Sequence, residues 1–354
     1  MRLGEAVVAQ EGRTTTLARV AASAGVSVAT VSKVLNGRAD VGPETRARVE
    51  SLLAAHDYVA RRAEVPEAEA SQHTVELVFH GPLTAYTTEI LQGVLEGAGE
   101  RKVSVSVSVR PRSQPTPGAL RPAAWARELA DLGRRGVIDV VDDARHGDLP
   151  ALVRAGIPLV VIDPLSPPRK ELASVGTTNF SGGLAATQHL LDLGHRRVAY
   201  IGCDPSSAYN QARVHGFRAA CEAAGVPVPD EYVRIGSFDF AAGVEGGGAL
   251  LELPEPPTAV FAATDQIAAG VLEAARRHGA RVPQDLSVVG FDDTAVAEIL
   301  SPPLTTVRQP LREMGRVALV TALRVAAREP LDSHHVELAT ELVVRSSTAA
   351  IAAP

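Results

Sequence analysis

Residues 14–36 constrain the fold of this chain more than any other segment. Apolar residues recur at helical spacing on both sides of a glycine: Leu17, Val20 and Ala21 before it, Val31, Val34 and Leu35 after it. Gly25 stands where a helix commonly ends in a left-handed residue, and Ser27 is positioned to cap the next helix. Two short helices joined by a glycine-containing turn are the helix-turn-helix pattern, so the sequence predicts a DNA-binding unit here.

The second predicted helix carries its polar residues away from its apolar positions. Thr30, Ser32 and Lys33 point outward, and short hydroxyls and a cation suit contacts to phosphates and base edges in a major groove. Val28 and Ala29 occupy the first exposed turn, where they can contact a thymine methyl group. Lys33 either reaches guanine acceptors or only neutralises a phosphate, and the spacing leaves both alternatives open.

The motif AxxAGVSVATVSKVLNG closely resembles the DNA-binding head of the LacI-type transcriptional regulators (LacI/GalR family). The resemblance continues in GLAATQHLLDLGHRRVAYIG, in TAVFAATDQIAAGV, and in LSVVGFDDT with SPPLTTVRQP. It implies that one set of residues holds the DNA backbone: Thr16, Ser27, Thr30, Ser32, Asn36 and Thr45. It also implies a homodimer on double-stranded DNA, with two heads one helical turn apart on a near-palindromic operator.

A third helix and a linker complete the N-terminal region. Gly42-Pro43-Glu44 opens a helix that we expect to run to about His56, giving a three-helix head over residues 13–62.

Residues 63–73 form a linker where the resemblance implies a hinge helix that inserts a leucine into the minor groove. Pro66 interrupts this segment and Glu67 stands about where the leucine would be. We therefore expect a mobile linker without a minor-groove leucine.

The charge distribution separates the head from the rest of the chain. Residues 13–62 contain eight basic and four acidic residues, a balance of +4, whereas the whole chain carries −6 and the remainder therefore −10. A small basic domain on an acidic body is expected when one part of a protein meets DNA and the rest does not.

From Thr74 onward, buried strand patterns alternate with amphipathic helices. Strands are predicted over residues 75–79, 103–109, 137–141, 159–163, 198–202, 259–263 and 286–290. This alternation predicts an α/β core with parallel sheets covered by helices on both faces. The resemblance implies two Rossmann-like lobes, as in periplasmic binding proteins, over residues 74–350. We place the N-lobe at 74–176 and 307–330, the C-lobe at 177–306 and 331–350, with crossings near Gly176, Thr306 and Leu331, then one last strand and a frayed tail.

Acidic residues follow three of the predicted strands. Asp163 ends LVVID, Asp265 follows AVFAAT, and Asp292 follows LSVVGF. Ligands of such folds bind outside the carboxyl ends of the strands, where carboxylates can accept hydrogen bonds from sugar hydroxyls. Asp265 is an equally good helix N-cap, and Asp292 can serve as a structural turn.

Three further residues complete the expected ligand site between the lobes. Arg213 resembles the family's ligand arginine, whose fork either bridges two hydroxyls or holds a carboxylate, although a surface or inter-lobe ion pair is the alternative. Phe238 matches a position where the family often stacks an aromatic ring on the ligand. Tyr86 can close the other side.

The sequence offers little support for catalysis, metals or membranes. Gly246-Gly247-Gly248 lacks the Lys-Ser/Thr of a phosphate loop, there is no G-x-S-x-G motif, and we expect no cofactor and no metal. Two cysteines in 354 residues do not make a disulfide framework, and we find neither a signal-peptide pattern nor an apolar run of about 18 residues. These features favour a reduced, cytoplasmic protein without a membrane partner.

Together these features predict a ligand-responsive transcriptional regulator, a repressor by expectation, and not an enzyme. The effector is expected to be a small sugar, and a nucleobase or another small metabolite remains an alternative. A sugar-binding protein whose head no longer reads DNA is the second hypothesis, motivated by Val28, Ala29 and the acidic linker. An enzyme on a Rossmann-like body is the third.

Overall fold

The computed structural model describes residues 17–35, 41–55, 74–110, 121–141, 148–166, 170 and 172–351. The chain divides into two compact units with the boundary between Glu67 and Ala68. The predicted linker over residues 63–73 lies outside the described residues, as do Thr16 and Asn36. Within the described part, no helix is long and apolar enough to cross a membrane.

The N-terminal unit contains the three predicted helices, α1 (Leu17–Ala24), α2 (Val28–Leu35) and α3 (Pro43–Ala55). Gly25 has φ +65°, the left-handed conformation that the turn requires and that glycine adopts without strain. The Ser27 hydroxyl accepts a hydrogen bond from the Thr30 amide at 3.1 Å, which confirms the predicted N-cap. Val20, Val31 and Val49, one from each helix, are fully buried, so the apolar spacing does close a small core.

The larger unit alternates strands and helices as predicted. Its helices are α4 (Ala85–Arg101), α5 (Pro122–Asp131), α6 (Asp148–Arg154), α7 (Asn179–Asp192), α8 (Ala208–Ala223), α9 (Phe240–Leu251), α10 (Asp265–Arg277), α11 (Ala295–Ile299) and α12 (Leu311–Ala326). Its strands are β1 (Thr74–Phe79), β2 (Ser104–Val109), β3 (Arg134–Val140), β4 (Leu159–Ile162), β5 (Ala173–Thr177), β6 (Val198–Gly202), β7 (Val233–Ile235), β8 (Ala259–Ala262), β9 (Ser287–Asp292), β10 (Thr305–Arg308), β11 (His335–Leu338) and β12 (Glu341–Val343).

The strands form two six-stranded sheets, one in each lobe. The first has the order β11-β5-β4-β3-β1-β2 and all its pairings are parallel. The second has the order β12-β10-β9-β8-β6-β7, and its pairings are parallel except that β12 runs antiparallel to β10. The carboxyl ends of the parallel strands therefore meet at one edge of each sheet, which is where the predicted ligand residues stand.

Each sheet is covered by its own apolar core. In the first lobe, Leu77 and Ile138 pack with Met314 of α12. The second lobe concentrates the few aromatic residues of the chain: Tyr200 lies 5.6 Å from the Phe217 ring centroid and 5.4 Å from that of Phe261. Full burial of one such side chain is worth about 1.5–3 kcal/mol.

The chain crosses between the lobes three times, and one predicted crossing is wrong. The first crossing lies between β5 and α7 and the second between β10 and α12, each within a few residues of the expected Gly176 and Thr306. The third was predicted near Leu331. Instead, β11 pairs with β5 of the first sheet, His335 opposite Ser174, so the chain crosses only between β11 and β12. Residues 331–338 thus belong to the N-lobe, because β11 pairs with the distant strand β5, and no local sequence pattern reveals that pairing.

The expectation of a frayed tail is also wrong for the described residues up to Ile351. Ser347 is fully buried and its hydroxyl accepts from the Thr305 amide at 2.8 Å. The Ile351 amide donates to the Leu193 carbonyl at 3.0 Å. This segment is held by hydrogen bonds to distant parts of the second lobe, which no local pattern reveals.

Candidate functional site

The first candidate surface is the exposed face of α2. Val28 is 47% exposed at the first turn, Ala29 and Lys33 are also exposed, and Thr30 is half-buried. The Ser27 and Thr30 hydroxyls lie 2.9 Å apart at the helix start. Thr45 is half-buried on α3. Ser32 belongs to α2, but its side chain lies outside what the structure describes. Thr16 and Asn36 lie wholly outside the described residues.

The second candidate site is a cavity of about 290 Å³ between the two lobes of the larger unit. All six predicted ligand residues line it. The first lobe contributes Tyr86, from the start of α4, and Asp163, directly after β4. The second lobe contributes Arg213, Phe238, Asp265 and Asp292. The structure therefore brings together residues that lie more than 200 positions apart: Asp163 and Asp292 at strand ends, Tyr86 and Asp265 at helix starts, Phe238 between β7 and α9, and Arg213 inside α8.

Asp163 and Tyr86 form the pair on the first-lobe side. Asp163 is buried and adopts φ +47°, which turns its side chain out of the strand direction. The Tyr86 hydroxyl donates to Asp163 Oδ2 at 2.5 Å. Burial raises the pKa of Asp163, while the Tyr86 hydrogen bond and the Arg213 charge oppose that rise. Burial and the nearby carboxylate raise the pKa of Tyr86, so Tyr86 stays a hydrogen-bond donor.

Arg213 is anchored on the opposite side, within α8. Its Nε donates to Asn179 Oδ1 at 2.8 Å and its Nη1 to the Ala263 carbonyl at 2.6 Å. The guanidinium carbon lies 3.7 Å from the centre of the Phe291 ring, a cation–π arrangement. Nη1 is also 3.8 Å from Asp292 Oδ1. Arg213 is therefore held in place before any ligand arrives. Its charged partner Asp292 is buried and belongs to the same lobe, so this contact is not the surface or inter-lobe ion pair weighed as an alternative.

Asp292 ends β9 and connects the cleft to the crossings between the lobes. Its Oδ1 accepts a hydrogen bond from Gln309 Nε2 at 2.7 Å, and Gln309 Oε1 accepts one from the Thr177 hydroxyl at 2.6 Å. Thr177 and Gln309 lie on the first and second crossings. Burial raises the pKa of Asp292 well above its usual value, against the lowering effect of Arg213.

Asp265 has a different environment from the other two carboxylates. Its Oδ2 accepts from the Thr294 amide and hydroxyl at 2.8 and 3.0 Å, and its Oδ1 accepts from the Thr306 hydroxyl at 2.6 Å. A Cβ at Gly290 would lie 2.7 Å from Oδ1, so a glycine is needed for this approach. Burial raises the pKa of Asp265 to about 7. Both oxygens are thus occupied within the protein, which suits a positioning role.

The N-cap interpretation weighed for Asp265 is wrong. Thr264 precedes α10, and its hydroxyl accepts from the Ile267 amide at 3.1 Å, so Thr264 is the N-cap. Asp265 is the first helical residue, where a carboxylate also favours the positive end of the helix.

An aromatic wall and a missed polar pair complete the lining. The Phe238 and Tyr209 ring centroids are 5.7 Å apart and the rings are tilted by 41°. His80 also lines the cleft, and its Nε2 lies 2.6 Å from Asp139 Oδ1. This pair was not predicted from the sequence. His80 nevertheless directly follows β1, so the strand-end rule that indicated Asp163 applies to His80 as well.

Among the described residues, no cluster of histidine, cysteine or carboxylate side chains is suited to a metal ion. What the cleft offers instead is a set of hydrogen-bond acceptors, a fixed arginine and aromatic faces. Such a combination binds a hydroxyl-rich ring by paired hydrogen bonds and stacking.

A helix-turn-helix unit followed by a two-lobed α/β core with a ligand cleft defines the class of ligand-responsive DNA-binding regulators. Two family models match the chain: bacterial regulatory proteins of the lacI family over residues 16–66, and the periplasmic binding protein-like domain over residues 187–348. The regulator CelR of Thermobifida fusca is 34% identical over 340 residues, covering 95% of this chain and 98% of that protein. The regulator DegA of Bacillus subtilis is 32% identical over 343 residues, covering 94% and 98%.

Solved structures agree with these sequence relatives. A CelR–cellobiose complex is 33% identical with a TM-score of 0.69, and it covers 94% of this chain and 100% of that chain. A lac repressor dimer bound to operator and the anti-inducer ONPF is 27% identical with a TM-score of 0.71, covering 96% and 100%. The chain belongs to the LacI family of bacterial transcriptional regulators, which confirms the resemblance. It is a regulator and not an enzyme.

Proposed function

We propose that this protein is a transcriptional repressor whose operator affinity changes when a small sugar binds in the cleft between its two core lobes. One observation carries the proposal: six residues predicted as ligand contacts line a single inter-lobe cavity, in a chain that also contains a helix-turn-helix unit. The two buried cysteines, Cys203 and Cys221, are unpaired, which suits a reduced, cytoplasmic setting.

The DNA-binding side of the proposal rests on α2. Lys33 contacts a phosphate or guanine, Val28 and Ala29 contact the groove floor, and the hydroxyls of Ser27 and Thr30 contact phosphates. The family resemblance adds Thr16, Ser32, Asn36 and Thr45 to the phosphate contacts. A single small head binds weakly, so the protein acts as a homodimer on a near-palindromic operator, as the lac repressor dimer does.

The ligand-binding side rests on the cleft. Asp163 and Asp292 accept hydrogen bonds from sugar hydroxyls, Arg213 donates to them, and Phe238 stacks on the ring, while Asp265 holds the loop around Thr294 in place. Relatives support a sugar: one solved structure is a complex with cellobiose, and a 29% identical relative is the ribose operon repressor of Escherichia coli.

Regulation follows from the division of the site between lobes. A ligand that contacts Asp163 of the first lobe and Arg213 of the second favours the closed arrangement of the lobes over the open one. The two first lobes of a dimer then change their relative position, and the spacing of the DNA-binding heads changes with it. A coupling of about 1–3 kcal/mol between the two sites is typical of such systems.

The test is a gel shift of the purified protein on its own upstream DNA, with excess random competitor DNA, with and without a panel of sugars that includes cellobiose and ribose. We expect a shift that survives the competitor and disappears with one sugar. A competitor-resistant shift that no sugar changes would contradict the sugar effector. A shift that only strengthens when a sugar is added would contradict a repressor that releases its operator when the sugar binds.

The second candidate function is a sugar-binding protein whose head no longer reads DNA. The observation in its favour is that Val28 and Ala29 occupy the exposed first turn of α2, where bidentate base readout would need arginine, asparagine or glutamine. Salt titrations on the operator and on random DNA separate the two functions. A head that contacts only phosphates shows a salt slope without a sequence preference.

A further inference from the structure

We infer that the cleft accepts an uncharged sugar and rejects its phosphorylated or carboxylated counterparts. This inference rests on the proposed sugar site and adds the charge class of the ligand. It follows from the balance of charged groups around the cavity and from the carboxylate that already lies beside its arginine.

Acidic groups outnumber basic groups around the cleft. Among the described residues that line it, the acidic side chains are Asp163, Asp265 and Asp292, and the basic ones are Arg213 and His80. His80 lies 2.6 Å from Asp139, so any positive charge on its ring is matched by that carboxylate. Among the described lining residues, three buried carboxylates thus stand against one arginine and a histidine that already has a carboxylate partner.

The positive charge of Arg213 is already opposed by a carboxylate of the protein. Its Nε and Nη1 donate to Asn179 and Ala263, its face covers Phe291, and Nη1 lies 3.8 Å from Asp292 Oδ1. Two of its five N–H groups thus donate to the protein, and the others can donate to hydroxyls of a ligand. A phosphate or carboxylate of a ligand would need the arginine charge as well as its N–H groups, and it would share that charge with Asp292.

The helix starts that border the cleft do not offset this shortage of positive charge. At α4, Thr84 and Thr87 form a reciprocal capping box, the Thr84 amide donating to the Thr87 hydroxyl at 2.7 Å. At α10, Thr264 caps the Ile267 amide and Asp265 places a carboxylate in the first turn. Each cap occupies one first-turn amide, and at α10 the carboxylate of Asp265 further weakens the positive end of the helix.

The electrostatic environment agrees with the geometry. Burial raises the pKa of Asp163 and of Asp292 even though Arg213 acts to lower both. Burial is the largest cause of both pKa shifts, and the Arg213 charge offsets it only in part. An anionic ligand would therefore add a desolvated negative charge without a free counter-charge, which costs far more binding energy than placing a hydroxyl there.

The experiment compares matched neutral and anionic sugars by isothermal titration calorimetry on the full-length protein at pH 7.5. The pairs are glucose with glucose 6-phosphate, galactose with galacturonate, and cellobiose with cellobiose 6-phosphate, in each of which the ring is kept and only a charged group is added. We expect the neutral member of the binding pair to bind at least about tenfold more tightly, which corresponds to about 1.4 kcal/mol.

Two variants test whether the cleft carboxylates cause the discrimination. In Asp163→Asn the charge is lost while an acceptor for the Tyr86 hydroxyl remains, and the neutral-to-anionic ratio should fall. Asp285→Asn is the matched control, because Asp285 is exposed and pairs with Arg281 outside the cleft lining. This control should keep the wild-type ratio.

The outcomes separate the two proposals. An anionic sugar that binds as tightly as its neutral partner, or more tightly, overturns the charge inference and leaves the sugar effector standing. A ratio that is unchanged in Asp163→Asn also overturns the inference, because another feature would then discriminate. Failure of every sugar to bind overturns the sugar effector itself, and the inference with it.

Discussion

Gln309 Nε2 donates a hydrogen bond to Asp292 Oδ1 at 2.7 Å, which connects the second crossing between the lobes to the ligand cleft. The same side chain accepts a hydrogen bond from Thr177 on the first crossing, and both Gln309 and Thr177 are buried. Asp292 is therefore one hydrogen bond away from the second crossing and two away from the first. Hydrogen bonds thus connect the cleft to the segments that join the two lobes.

Gln309→Ala should destabilise the core and weaken the response to the effector. Removing the amide leaves buried polar groups on Thr177 and Asp292 without their partner, which costs about 1–3 kcal/mol. Urea unfolding monitored by circular dichroism measures the loss. Gln188→Ala is the control, because Gln188 is exposed and bonds only to Asp192 among the described contacts. Equal stability of the two variants would contradict a structural role for Gln309.

Arg213→Ala should abolish the effector response while operator binding persists. The variant loses the hydrogen bonds to Asn179 and Ala263 and the donor offered to the sugar, whereas the head is unchanged. Gel shifts with and without effector read the result, and thermal unfolding confirms that the variant is folded. Arg218→Ala, an exposed position on the same helix, should respond like the wild type. A folded Arg213→Ala protein that still releases DNA with effector would show that the pocket assignment is wrong.

Lys33→Ala should weaken operator binding and lower the dependence of affinity on salt. Lys33 is exposed on α2, and loss of one phosphate contact reduces the logarithmic salt slope by about 1. Fluorescence anisotropy on operator and random DNA at several salt concentrations measures both quantities. Arg281→Ala is the control, because it removes one positive charge from the exposed surface of the core and leaves the head unchanged. Unchanged affinity, specificity and slope would place Lys33 outside the interface.

Asp265 should make the stability of the core fall as the pH rises from about 4 to about 7. Its pKa is raised by burial to about 7 in the folded protein, above the usual value of 3.8, so the folded state binds more protons in this window. Stability then decreases with rising pH by up to about 1.4 kcal/mol per pH unit from this group. Above pH 7 the contribution levels off, because both states are then ionised.

Comparison with Asp265→Asn isolates this effect. The asparagine keeps an acceptor for the Thr294 amide and a donor for the Thr306 hydroxyl, and it does not titrate. Urea unfolding at pH 5 and pH 7.5 should show a smaller difference for Asp265→Asn than for the wild type. Asp285→Asn should not show this change, because ion pairing with Arg281 lowers the pKa of Asp285 to about 2. Equal pH dependence of Asp265→Asn and wild type would contradict the assignment.

Much of the architecture follows from local patterns in the sequence. The apolar spacing around Gly25 specifies two helices and a turn, because a helix-turn-helix unit is built from contacts between residues close in the chain. The alternation of buried strands and helices specifies parallel sheets, and the strand-end rule then places Asp163, Asp265 and Asp292 at one edge. These features need only periodicity, capping and chain direction.

The tertiary structure decided what depends on partners far apart in the chain. The hydrogen bond between Thr306 and Asp265, the Thr177–Gln309–Asp292 connection and the pairing of β11 with β5 all join distant segments. The edge strand β2 is a further case. Its strict Val/Ser alternation predicts a strand with one less buried face, yet none of its residues is buried, and it lies at the edge of the sheet formed by the described strands. The sequence by itself determined which elements form and which residues stand at their ends. Only folding determined which buried groups satisfy one another, because each donor or acceptor has many chemically equivalent partners until three-dimensional packing selects one.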